Sequence, residues 1–168
     1  IQGGNMQALR IIILVALYWL AGATRAPEDW IGKSAPDFSL ETINGGGKIS
    51  LKDFRGKVVL LDFWASWCAP CKRSLPELEK LEGRYPELKV LTVNIDDDRK
   101  KAQEFMRRIQ LDLTVLYDAG KTVAGTYELQ AMPSALIIDQ KGVIRYVASG
   151  YTEKDLENIE AEIKSLLP

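Results

Sequence analysis

The sequence predicts an α/β layered fold whose sheet carries an antiparallel portion. Three observations predict it. Strand-like and helix-like patterns alternate from Lys57 onward, Lys57–Trp64 is a nearly continuous apolar run, and a late pair of strands flanks Gln140-Lys141-Gly142 ahead of a last amphipathic segment. Alternation of that kind builds a sheet with helices packed on it, and the closing hairpin adds antiparallel strands.

Asp37–Glu41 reads as the first strand, Asn44-Gly45-Gly46-Gly47 as a turn whose glycines supply positive φ, and Lys48–Leu51 as the returning strand. Lys57–Trp64, rich in Val and Leu, has the pattern of a central strand covered on both faces. A helix from about Cys68 to Gly83 follows, with Leu75, Leu78, Leu81 and Tyr85 at helical spacing and Pro76 expected to kink it. Lys89–Ile95 is the next strand. Asp96-Asp97-Asp98 then offers capping groups for a helix carrying Ala102, Phe105, Met106 and Ile109 on one face. The triple Asp lacks the glycine and glutamate that a calcium loop of the EF-hand type requires. Leu113–Tyr117 reads as a strand, Lys121–Leu129 as a short helix, and Ala135–Asp139 with Val143–Val147 as the hairpin. Thr152 and Asp155 form a capping box for a helix packed through Leu156, Ile159, Ile163 and Leu166.

Composition removes several function classes. The chain has 168 residues, 46% hydrophobic and 27% charged, with 22 Lys+Arg against 23 Asp+Glu, which fits one globular domain. A net charge of -1 gives no field to gather nucleic acid, so no nucleic-acid partner is expected. With two Cys and no His, neither a structural zinc set nor a Ser-His-Asp or Cys-His pair can be assembled, and no metal is expected.

The start of the chain reads as a targeting segment. Residues 1–5 resemble a cloning scar, since Met6 follows them. Arg10 precedes a 13-residue apolar run, Ile11–Ala23, which suits a secretory signal better than a span of about 20 residues, and Ala21-Gly22-Ala23 offers a small-x-small cleavage pattern. Residues 6–23 are therefore expected to be a signal peptide cut after Ala23, or else a retained membrane anchor. Either places the domain outside the cytoplasm. Thr24–Ala35, with two Pro and mixed charge, reads as a linker.

Both cysteines lie in Trp67-Cys68-Ala69-Pro70-Cys71, where the central strand hands over to a helix. A helix N-terminus favours a thiolate over a thiol, which points to Cys68 as nucleophile. Pro70 stiffens the loop, and two intervening residues leave Cys71 able to attack a mixed disulfide formed at Cys68. A purely structural staple closing so short a loop would remove little entropy from the unfolded chain. The pattern therefore points to redox chemistry.

These residues resemble the thioredoxin superfamily, and more closely its exported TlpA/ResA/CcmG-like thiol:disulfide oxidoreductases. The resemblance rests on Ala35-Pro36-Asp37-Phe38, Leu51-Lys52-Asp53-Phe54-Arg55-Gly56-Lys57, Phe63 through Lys72 and Met132-Pro133-Ser134, and it spans nearly all of the chain beyond Gly32. It implies a thioredoxin-like three-layer sandwich over residues 36–168, with a mixed central sheet, an N-terminal β-hairpin and a helix-strand-helix insertion similar to Arg99–Leu129. It also implies that Pro133 is a cis-proline facing the disulfide, with Met132 offering its backbone to a substrate strand. Asp62, six residues before Cys68, matches the family's buried acid, whose pKa burial would raise into the range of a general base for Cys71. Trp67 is expected beside the thiols as a docking surface and Trp64 in the core, while Lys72 and Arg73 could add positive potential near Cys68. Two departures stand out: Ser74 occupies the place of a glutamate common in ResA/CcmG-like members, and Thr92 that of a lysine near the acid in thioredoxin.

The resemblance further implies dithiol-disulfide exchange at Cys68-Ala69-Pro70-Cys71, with the Cys68–Cys71 redox disulfide and no metal or organic cofactor. Expected clients are exported protein disulfides, apocytochrome c being the family's best-known case, served by a monomer that a membrane donor of the CcdA/DsbD type recharges. Because Ala69-Pro70 lacks the histidine of strongly oxidising members, a reductant with a potential below about -220 mV is expected. Two alternatives remain open here. Ala35-Pro36-Asp37-Phe38 also occurs in peroxiredoxins, although those carry a Thr-x-x motif before the reactive cysteine, where this chain has Ser66-Trp67. A non-catalytic chaperone or binding module for exported chains is the other.

Overall fold

The computed structural model describes residues 27–168, so the expected scar and the signal peptide or anchor lie outside the described residues. Seven strands form one mixed sheet: β1 (Ser39–Thr42), β2 (Lys48–Ser50), β3 (Val58–Trp64), β4 (Leu88–Asn94), β5 (Thr114–Tyr117), β6 (Ser134–Ile138) and β7 (Ile144–Ser149). The helices are α1 (Cys71–Arg84), α2 (Arg99–Ile109), α3 (Thr122–Thr126) and α4 (Glu153–Leu166). The sheet order is β2-β1-β5-β4-β3-β6-β7, with β3, β4 and β5 parallel and the outer pairings antiparallel. This is the thioredoxin-like three-layer sandwich, and α2, β5 and α3 supply the helix-strand-helix insertion.

All seven residues of β3 are buried, as its apolar run requires of a strand covered on both faces. Alternation sends Val58, Leu60 and Trp64 into a core shared with α1, α2 and α4, while Val59, Leu61 and Phe63 enter a second core with Trp30, Phe38, Val123 and Tyr127. The ring of Tyr127 meets those of Trp30, Phe38 and Phe63 at 5.6–6.5 Å, and its hydroxyl donates to the Pro36 carbonyl at 2.7 Å.

Several elements differ from the sequence reading, each for a physical reason. The stretch read as a linker is part of the domain from Pro27 on: Pro27–Trp30 form a 3-10 turn, Trp30 is buried, and residues 32–35 hydrogen-bond to Gly142 and Ile144 beside β7. Its Pro and Gly signal a chain without regular structure, and they do not reveal what it packs against. The helix after β3 starts at Cys71, because the residue before a proline is disfavoured in helical geometry and Ala69 precedes Pro70. It is continuous across Pro76. The short helix ends at Thr126, and Glu128 follows in the left-handed region at φ 51°. Of the three acidic residues before α2, only Asp98 caps the helix, accepting from the Lys100 N–H at 2.9 Å. The Thr152–Asp155 capping box of α4 forms as read.

Candidate active site

The site lies where β3 ends. Beyond Trp64 the chain turns through Ser66 and Trp67, reaches Cys68, and enters α1 at Cys71. Cys68 and Cys71 are joined by a disulfide with Cα atoms 5.4 Å apart. Cys68 keeps 4% of its surface exposed and Cys71 none. The N–H of Cys71, first residue of α1, donates to Cys68 Sγ at 3.2 Å. Cys68 thus sits three residues upstream of the helix rather than within its first turn, yet an unpaired helix N–H is aimed at its sulfur. That is the donor expected to favour a thiolate there.

Trp67 stands 66% exposed beside Cys68, while Trp64 is fully buried and packs against Phe105 in a tilted pair with ring centroids 5.1 Å apart. The Met132–Pro133 peptide is cis. Pro133 is buried, its carbonyl accepts from the Gly150 N–H at 2.7 Å, and Ser134 Oγ donates to the Ala131 carbonyl at 2.7 Å. Both bonds fix the loop around Met132, whose own backbone takes no part in the ladder that begins at Ser134.

Asp62 faces the α1 side of β3 between Leu60 and Trp64, and it is 1% exposed. Its register partners are Thr92 on β4 and Ala135 on β6, neither of which carries charge. One carboxyl oxygen, Oδ2, has no hydrogen-bond partner, and burial alone pushes the carboxyl well above the usual range. Thr92 spends its hydroxyl on the Thr114 carbonyl at 3.2 Å. Ser74 is buried and its hydroxyl returns to the Cys71 carbonyl at 3.2 Å, so no carboxylate stands one turn after Cys71.

Lys72 and Arg73 are exposed on the first turn of α1. Among the described residues no group of three or more Cys, Asp or Glu side chains is placed to hold a metal. A cleft of about 510 Å³ opens between β1 and the β5–α3 loop, but neither cysteine nor Pro133 lines it. The Cys68–Cys71 disulfide therefore lies outside that cleft. Sequence reasoning missed Asp96, which grips Ser66, two residues before Cys68, from the loop after β4. An Asn and an Asp closing an otherwise apolar strand were the available signal.

A mixed sheet that delivers a Cys-x-x-Cys disulfide to a helix N-terminus, in a chain that also carries a cis-proline ahead of β6, defines a thioredoxin-like thiol:disulfide oxidoreductase. The AhpC/TSA family model matches residues 31–147. The chain is 40% identical over 131 residues to the thioredoxin-like protein YneN of Bacillus subtilis, covering 75% of this chain and 76% of that one. It is 31% identical over 173 aligned positions to the thiol-disulfide oxidoreductase ResA of Bacillus thuringiensis, covering 98% of each. A crystal structure of a putative thiol:disulfide interchange protein DsbE from Chlorobium tepidum superimposes with a TM-score of 0.78 at 33% identity, covering 82% of this chain and 98% of that one. The chain belongs to the AhpC/TSA family, among the ResA-like members of the thioredoxin superfamily, and it is an enzyme of dithiol-disulfide exchange.

Proposed function

We propose that the protein works outside the cytoplasm as a reductant of disulfides in exported proteins, apocytochrome c during cytochrome c maturation being the leading client. The observation that carries the site assignment is the inequality of the two sulfurs: Cys68 keeps a little exposed surface and receives the Cys71 N–H, while Cys71 is sealed. In the reduced enzyme the Cys68 thiolate attacks one sulfur of the client disulfide. The client's other sulfur leaves as a thiolate and takes up a proton. The client segment lies along Met132 and pairs with its unused backbone, beside the exposed ring of Trp67. Asp62 accepts the Cys71 proton, and the Cys71 thiolate then attacks Cys68, closing the enzyme disulfide and releasing the client's second thiol. Two electrons pass from the enzyme dithiol to the client.

Export is supported by the apolar Ile11–Ala23 run behind Arg10. None of the described helices is long and apolar enough to cross a membrane. The reducing direction is supported by Ala69-Pro70 between the cysteines. Repeated turnover then needs a donor, for which a membrane dithiol protein of the CcdA/DsbD type has the right chemistry.

Trapping tests the reading. With Cys71→Ala in the native compartment, Cys68 is expected to hold clients as mixed disulfides, exported thiol proteins foremost. Equilibration of the purified protein with a redox buffer is expected to give a potential below about -220 mV, and a value near the oxidant extreme of about -120 mV would reverse the direction.

A further inference from the structure

We propose that Asp96 is a positioning residue for Cys68 and that its grip on Ser66 sets how readily the Cys68–Cys71 disulfide closes. Asp96 is 1% exposed in the loop after β4. One carboxylate oxygen accepts the Ser66 N–H at 2.9 Å and the Asn94 side-chain amide at 2.8 Å, and the other accepts the Ser66 hydroxyl at 2.9 Å. The Asp96 N–H in turn donates to Asn94 Oδ1 at 3.1 Å. Asn94 is the last residue of β4, in register with Trp64, and the Ile95 N–H still reaches the Trp64 carbonyl at 3.0 Å. The β3–β4 ladder is therefore prolonged by side chains beyond the point where its strands stop.

What this holds is the turn that carries the attacking sulfur. Ser66 lies two residues before Cys68, and the Cys68 N–H closes the turn on the Ala65 carbonyl at 3.1 Å. On the far side Cys71 is fixed by burial in α1. A backbone N–H freed at a strand end would otherwise go unpaired in this half-buried loop. A carboxylate taking both the N–H and the hydroxyl of one residue fixes that residue's orientation as well as its place. Two thiols held at fixed separation behave as one reactant at high effective concentration, and loosening one support lowers it. The proposal rests on the exchange chemistry of the cysteines and not on the direction of flow.

The equilibrium that reads this is closure against glutathione. The two protein thiols give two electrons and two protons to one glutathione disulfide, leaving the Cys68–Cys71 disulfide and two glutathione thiols. The wild-type protein must equilibrate reversibly in this buffer, which checks the exchange reading separately. Asp96→Ala is expected to lower the closure constant about tenfold, equivalent to about 30 mV toward the oxidising side. Asp96→Asn keeps an acceptor for the Ser66 N–H and an amide facing the Ser66 hydroxyl, and is expected to stay within about threefold of wild type. Thermal melts of both redox forms accompany the titration, and Asp96→Ala is expected to cost the oxidised form more than the reduced. If Asp96→Ala does not fold, Ser66→Ala, which deletes only the hydroxyl half of the grip, is expected to lower the constant about threefold. A folded Asp96→Ala within twofold of wild type, equal losses in Asp96→Ala and Asp96→Asn, or an unchanged constant in Ser66→Ala where that variant must decide, would each overturn the proposal.

Discussion

Replacing Asp62 by Asn should make the oxidised protein more stable, and the gain should grow with pH. Asp62 is 1% exposed, its Oδ2 has no partner, and no cation offsets the burial that raises its pKa. In the unfolded chain the same carboxyl releases its proton near its ordinary value of about 3.9. Between that value and the raised folded one, the native state binds one more proton than the unfolded state, so native stability falls as pH rises through this interval. The slope for one proton is about 1.4 kcal/mol per pH unit within that interval. Asn carries no proton to lose and escapes that slope. For a domain of this size that slope corresponds to roughly 3–6 °C in Tm per pH unit. Calorimetric melts of wild type and Asp62→Asn, both locked as the disulfide so that the cysteines do not titrate, measure it directly. Tm curves that run parallel as pH rises above about 4 would refute the reasoning, since a carboxyl whose pKa folding raises cannot leave the gap constant.

Trp67→Ala should raise KM for protein disulfides by about tenfold, as expected for losing about 1.4 kcal/mol of aromatic contact, while leaving the reduction of a small disulfide nearly unchanged; paired steady-state assays on insulin and hydroxyethyl disulfide decide this. Glu160 accepts from Tyr85 Oη at 2.7 Å, Lys164 Nζ at 3.0 Å and Arg84 Nη1 at 2.6 Å, tying α4 to the end of α1, and these partners pull its carboxyl down to about 2. Its contribution is present above the ordinary glutamate value and lost as pH falls toward about 2. Because solvent screens the cluster, Glu160→Gln should cost no more than about 1 kcal/mol at pH 7, and the gap should close in acid melts.

Where structure follows from neighbours in sequence, the chain could be read directly. The apolar Val58–Trp64 strand and the Thr152–Asp155 box each depend on residues a few positions apart. The cis geometry at Pro133 is different, because an X-Pro pair alone gives it a low prior and only the family resemblance pointed to it. Two of the differences share a cause, a partner far along the chain. Trp30 sat in a segment read as linker because its ring partner Tyr127 is nearly a hundred positions away. Asp96 was read with its neighbours as a cap, although its hydrogen bonds run to Ser66 across a strand pairing that no local pattern reveals. The helix start was misplaced by three residues for a local reason: the restriction that Pro70 imposes on Ala69 outweighs the helical spacing of the leucines.

The account turns on Cys68 striking first. Insulin reduction by the wild-type protein and by Cys68→Ser, with dithiothreitol as the electron source, tests this most directly. Cys68→Ser should fall to the rate of dithiothreitol alone, and a variant that still reduces insulin at the wild-type rate would contradict the assignment.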